Sequence, residues 1–118
     1  MTNFPKEQIE LINSIKNSIR KIQDNFDNYQ NECFTKRSPE FFCLELNGEA
    51  GELANLEKKQ WKGKSIEHEK FADEAADVLI ALMNYCNARG INLETAVINK
   101  LNIIEEKRSL LESVGEKY

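Results

Sequence analysis

The chain has 118 residues, 31% of them charged and 41% hydrophobic, with a formal net charge of −4. This length suits one compact domain, 1–118, with a real core. The charge argues against a nucleic-acid partner, and with no apolar run of about 18 residues no transmembrane helix is expected.

Five glycines and two prolines are few for an all-β domain, and helical spacing dominates from the start. The opening Met1-Thr2-Asn3-Phe4-Pro5-Lys6-Glu7 lacks the apolar stretch of a signal peptide. A first helix is predicted from Lys6 to Cys33. Its apolar residues Ile12, Ile15, Ile19, Ile22, Phe26, Tyr29 and Cys33 recur three and four apart, the stripe of a packed helix. Ser38-Pro39-Glu40 reads as an N-cap followed by proline at the first helical position. The second helix is predicted from Pro39 to about Gln60 and is broken by Trp61-Lys62-Gly63-Lys64. Ser65 is the expected cap of the third, with Glu67 and Glu69 in its first turn. That helix runs to about Ala88, with Gly90 as its stop. Asn92 caps a fourth, ending near Ser113 before Gly115. Short connections make antiparallel neighbours of these four, so the expected fold is an all-α, antiparallel four-helix bundle. Cys33, Cys43 and Cys86 are an odd set without CxxC spacing. They read as reduced thiols in a cytoplasmic protein, filling small buried positions.

The chemistry is concentrated in two acidic pairs, Glu49-x-x-Glu52 on the second helix and Glu74-x-x-Asp77 on the third. Residues three apart share a helix face, so each pair aims two carboxylates at one point. Both pairs interrupt apolar stretches, where a buried carboxylate costs several kcal/mol unless a cation neutralises it. Oxygen-only ligands suit hard cations, Mg²⁺ first and Mn²⁺ as an alternative. Gly48 and Gly51 flank Glu49 inside the helix, and each costs about 1 kcal/mol relative to alanine there. They predict close approach of another helix or of a ligand.

Gly48-Glu49-Ala50-Gly51-Glu52-Leu53-Ala54, followed after the 21-residue spacer Leu53–Asp73 by Glu74-Ala75-Ala76-Asp77-Val78-Leu79, resembles the MazG-like all-α nucleoside triphosphate pyrophosphatases. The resemblance spans about Tyr29 to Arg108. It implies Mg²⁺-dependent cleavage between the α- and β-phosphates of a (d)NTP, with Glu49, Glu52, Glu74 and Asp77 as metal ligands and catalytic groups. It also implies a homodimer or homotetramer. Metal between the carboxylates would reverse the sign of a site that otherwise repels a triphosphate.

On the fourth helix, Asn99-Lys100-Leu101-Asn102 resembles the segment that supplies a lysine and an amide to the phosphates and sugar. Ile104 stands where family members often carry an asparagine. Asn99 or Asn102 is then the substitute, and Lys107 or Arg108 the later positive charge. Trp61, among Lys58, Lys59, Lys62 and Lys64, suits stacking on a base, closing over phosphates, or packing at a helix end. Asn84 lies seven residues after Asp77 on nearly the same face, placed for substrate or for a helix–helix hydrogen bond. Tyr29-Gln30 resembles an element that lines the base pocket of a neighbouring subunit. Glu45, one turn before Glu49, is placed to orient water or a ligand, or is simply a surface glutamate. His68, the lone histidine, reads as surface, which argues against a histidine-based zinc site and against a carboxylate-bridged di-iron bundle. Two alternatives to the leading function remain, a phosphoribosyl-ATP pyrophosphatase-like enzyme and a noncatalytic helical interaction protein.

Overall fold

The computed structural model describes residues 4–118, and among these it is all-helical, with no strand. Five helices follow in chain order: α1 (Lys6–Ile15), α2 (Ile19–Cys33), α3 (Pro39–Trp61), α4 (His68–Arg89) and α5 (Leu93–Ser113).

The single long first helix expected from the sequence is therefore two. Asn17 adopts φ 64°, the left-handed region, and the chain leaves helical geometry between Ile15 and Ile19. Asparagine is among the few residues with a side chain that tolerate this conformation. The apolar spacing runs unchanged across the break, so periodicity alone does not reveal it.

The other boundaries follow local chemistry. Ser38 Oγ accepts from Phe41 N at 3.3 Å and Pro39 occupies the first turn of α3. Helix α4 begins later than the Ser65 cap predicts. Glu67 holds the cap position, without a side-chain hydrogen bond, and His68 is the first helical residue. Gly90 closes α4 in the left-handed conformation (φ 74°), letting Ile91 N reach back to Cys86 O at 2.8 Å. Asn92 Oδ1 accepts from Thr95 N at 3.3 Å and starts α5.

The chain divides into two compact units. In one, formed by the chain up to Ile22 and by Asn92–Tyr118, α1 packs on α5. Buried Gln8 donates to Asn102 Oδ1 at 3.0 Å, and Glu94 Oε1 accepts from Arg20 N at the start of α2. Ile15 is buried here, and buried Glu105 is held by Arg108 at 2.6 Å.

The other unit, Gln23–Ile91, is built on the α3–α4 pair. The two helices run antiparallel. Glu40 at the start of α3 meets Arg89 at the end of α4 at 3.7 Å, and Glu49 meets Asp77 further along. Phe42, Ala81, Met83 and Cys86 form the buried apolar centre. The remainder of α2 is fastened to α4 by amides: Gln23, only 1% exposed, donates to Ile91 O, and Asn87 donates back to Gln23 O at 2.9 Å. Of the three thiols only Cys86 is buried; Cys33 and Cys43 are exposed, contrary to the reading of all three as buried. Cys33 and Cys43 lie on helix faces that no described residue covers, whereas Cys86 faces the α3–α4 centre. None of the described helices is long and apolar enough to cross a membrane.

Candidate metal centre

The acidic pairs converge in the middle of the α3–α4 pair. Carboxylate oxygens of Glu49, Glu74 and Asp77 all lie within 4.8 Å of one another, each residue half-buried. Helix geometry explains the meeting. The three-residue spacing keeps each pair on one face, and the antiparallel pairing turns both faces inward at the same height. Glu52 is more exposed, yet its carboxyl interacts directly with Glu74 and Glu49.

The electrostatics are those of negative charges forced together. Loss of water pushes Glu74 up to about 7, aided by the neighbouring Glu52 and Glu49 carboxyls and their charges. Glu49 is also raised, again by desolvation first and then by the charges of Glu52 and Asp77. Glu49 Oε2 and Glu74 Oε2 are buried and have no hydrogen-bond partner. Buried polar atoms are nearly always partnered, so two orphaned carboxylate oxygens in one cluster set it apart from an ordinary solvated acidic edge. The donor set is all oxygen, which suits Mg²⁺ or Mn²⁺ rather than a thiolate- or imidazole-seeking metal.

The expectation that Gly48 and Gly51 mark a close approach by another helix does not hold within the Gln23–Ile91 unit: a Cβ at either position would meet nothing within 4 Å. Their face of α3 is open, and Glu45 is exposed as well.

Asn84 is buried and Gln30 half-buried; they meet each other, Asn84 Nδ2 lying 3.5 Å from Gln30 Oε1. Trp61 is 88% exposed at the end of α3. Lys100, Asn99, Asn102, Lys107 and Arg108 all belong to α5 and to the other unit. Lys100, Asn99 and Lys107 are exposed. Asn102 accepts the Gln8 hydrogen bond, and Arg108 is engaged by Glu105 and, at 2.8 Å, by Glu112. Those ion pairs missed by the sequence reading were visible in its spacing, three and four residues either side of Arg108. His68 is exposed, as expected.

Comparison of the chain with family models, with curated proteins and with solved structures finds no match. The carboxylate geometry therefore carries the functional reading.

Proposed function

We propose that this chain is a Mg²⁺-dependent nucleoside triphosphate pyrophosphohydrolase of the house-cleaning kind, converting a (d)NTP to the nucleoside monophosphate and pyrophosphate. The carrying observation is the convergence of Glu49, Glu74 and Asp77 within 4.8 Å, with two buried carboxylate oxygens unpartnered. The MazG-like motif supports the reading, and with it an antiparallel four-helix bundle of the all-α NTP pyrophosphatase type.

Glu49, Glu52, Glu74 and Asp77 would hold the metal, Mg²⁺ or Mn²⁺. When bound, it supplies neutralisation of the phosphates and Lewis-acid polarisation of the phosphoryl group. The chain's own groups do the rest. Water attacks the α-phosphorus, the bond to the bridging oxygen of the β-phosphate breaks, and pyrophosphate leaves. Glu45, on the open face one turn before Glu49, is our candidate to orient that water. By the motif resemblance alone, Lys100, with Asn99 or Asn102 and with Lys107, is our candidate for contacts to phosphate and sugar. Arg108 already spends its charge on Glu105 and Glu112, which makes Lys107 the better later cation.

The test is a panel of nucleoside triphosphates incubated with Mg²⁺, with separate detection of pyrophosphate and orthophosphate. Metal-dependent pyrophosphate from at least one of them is the expected result. Orthophosphate as sole product moves cleavage to the γ-phosphate and overturns the assignment. Phosphoribosyl-ATP belongs in the panel, since its exclusive turnover would assign the related histidine-synthesis chemistry. A second reading, a noncatalytic helical interaction protein, draws on exposed apolar side chains such as Leu44, Leu79 and Ile80. Absence of turnover with every substrate and metal would favour it.

A further inference from the structure

Between α1 and α2 the chain makes one tight turn. Lys16 has φ −55° and ψ 127°, Asn17 has φ 64°, and Ser18 N donates to Ile15 O at 3.1 Å. Those values define a type II β-turn over Ile15–Ser18. Among the described residues, Asn17 is the only one with a side chain that takes positive φ. A type II turn differs from a type I turn in the orientation of the peptide plane between its two central residues. The central residues of a type I turn lie in or beside the helical region. We propose that the Lys16–Asn17 peptide is a two-state joint. Its rotation closes α1 and α2 into one helix from Lys6 to Cys33, and the Glu94 carboxylate is the latch that holds the joint open. The joint is independent of the chemistry proposed for the acidic cluster.

Apolar phase is the first ground. Ile12, Ile15, Ile19, Ile22 and Phe26 keep spacings of three and four through the turn. A fixed corner makes no such demand, because the face that α2 buries is then free of the phase of α1. Continuous phase is what one straight helix needs. Lys16-Asn17-Ser18 also holds no proline or glycine, so nothing in it bars helical geometry. Closed, the helix would be about 42 Å long at 1.5 Å per residue, with these apolar residues on one face.

Hydrogen-bond substitution is the second. In an unbroken helix Arg20 N would donate to Lys16 O, and Ser18 N to Ser14 O. In the turn both arrangements are replaced. Arg20 N donates to Glu94 Oε1, which reaches across from the first turn of α5, at 3.1 Å. Ser14 O accepts from Ser18 Oγ, which also lies 3.0 Å from Ile15 O. Rotation of the Lys16–Asn17 peptide turns Lys16 O toward Arg20 N, in direct competition with Glu94. The open state thus satisfies with side-chain oxygens what the closed state satisfies with backbone, and neither strands these groups. Matched hydrogen bonding, with one sparsely populated backbone angle on the open side, makes a bistable element. Anything that draws the Glu94 carboxylate away closes the joint.

Backbone NMR of the full chain reads the joint directly, since Cα shifts and HN–Hα couplings of Lys16 and Asn17 separate helical from type II geometry. The unmodified chain is expected to show non-helical values at both residues; helical values there would overturn the latch. Glu94→Ala removes the latch without touching the turn. Asn17→Ala, at an exposed position, disfavours positive φ. Each is expected to move the Lys16 and Asn17 Cα resonances downfield to helical values while those of α3 and α4 stay in place, which distinguishes closure from loss of fold. Non-helical shifts retained in either variant would overturn the proposal. In Asn17→Ala they would mark a fixed corner, and in Glu94→Ala a carboxylate that latches nothing. If Glu94→Ala does not fold, Glu94→Gln takes its place. Its neutral amide is a weaker acceptor, and unmoved Lys16 and Asn17 shifts there would overturn the latch equally.

Discussion

Each member of the acidic cluster is defined by the others. Replacing one charge relieves repulsion while, under the proposed function, weakening cation binding, so stability and activity should move in opposite directions. Glu49→Gln and Asp77→Asn are expected to lower kcat/KM by at least about a hundredfold, as loss of a charged ligand does. Metal-free unfolding midpoints should hold or rise. A variant that unfolds, yet turns over normally per folded molecule, would make the residue structural. The pH dependence has a definite sign. Glu74 ionises near its ordinary value of 4.5 when unfolded but only near 7 when folded. Between these values the folded chain holds more protons, so stability falls as pH rises. Thermal unfolding of metal-free protein from pH 4.5 to 7.5 should show the decline. Saturating Mg²⁺ should offset it at pH 7.5, and Glu74→Gln should flatten it; a flat profile in the wild-type chain would show that the cluster is not desolvated.

At the scale of helices, α3 carries two glycines that no described neighbour crowds. Since a Cβ at Gly48 or Gly51 meets open space, Gly48→Ala and Gly51→Ala should each stabilise by about 1 kcal/mol through helix propensity, read from urea unfolding. Under the proposed function they should also reduce kcat/KM, because the open face is where substrate would approach. Unchanged kinetics would release the glycines from any such role. These helices were legible in the sequence to different degrees. The α3 and α5 starts could be read because Ser38-Pro39 and Asn92 act through local hydrogen bonds. The ends of α4 and α5 could be read because Gly90 and Gly115 take positive φ. The break at Asn17 could not, since Lys16-Asn17-Ser18 contains neither proline nor glycine and the apolar stripe continues through it. The acidic cluster was legible because helix geometry converts a three-residue spacing into a shared face. The Asn84–Gln30 contact was only half legible: Asn84 and Gln30 stood out singly, but their meeting depends on how α2 is fastened to α4 through Gln23 and Asn87.

For the molecule as a whole, apolar surface is the outstanding feature. Ile9, Leu11 and Ile22 in one unit and Leu44, Leu79 and Ile80 in the other are exposed, Leu44 by 74%. Exposed apolar side chains are what a partner would cover, and from the family resemblance we expect the partner to be a second copy, in a homodimer or homotetramer. Light scattering at micromolar concentration should give at least twice the 13.6 kDa chain mass, with an unfolding midpoint that rises with concentration. Leu44→Glu combined with Leu79→Glu should shift the population toward single chains. A stable monomer in the unmodified protein would contradict the expectation.

The chain has one tryptophan, and it stands at the open end of α3 among lysines. An indole so fully surrounded by water already emits as it would in an unfolded chain. Intrinsic fluorescence is therefore a poor gauge of whether an isolated chain is folded. The same indole becomes a clean reporter of anything that covers it. A blue shift on assembly or on adding nucleotide would assign Trp61 to that contact without any label.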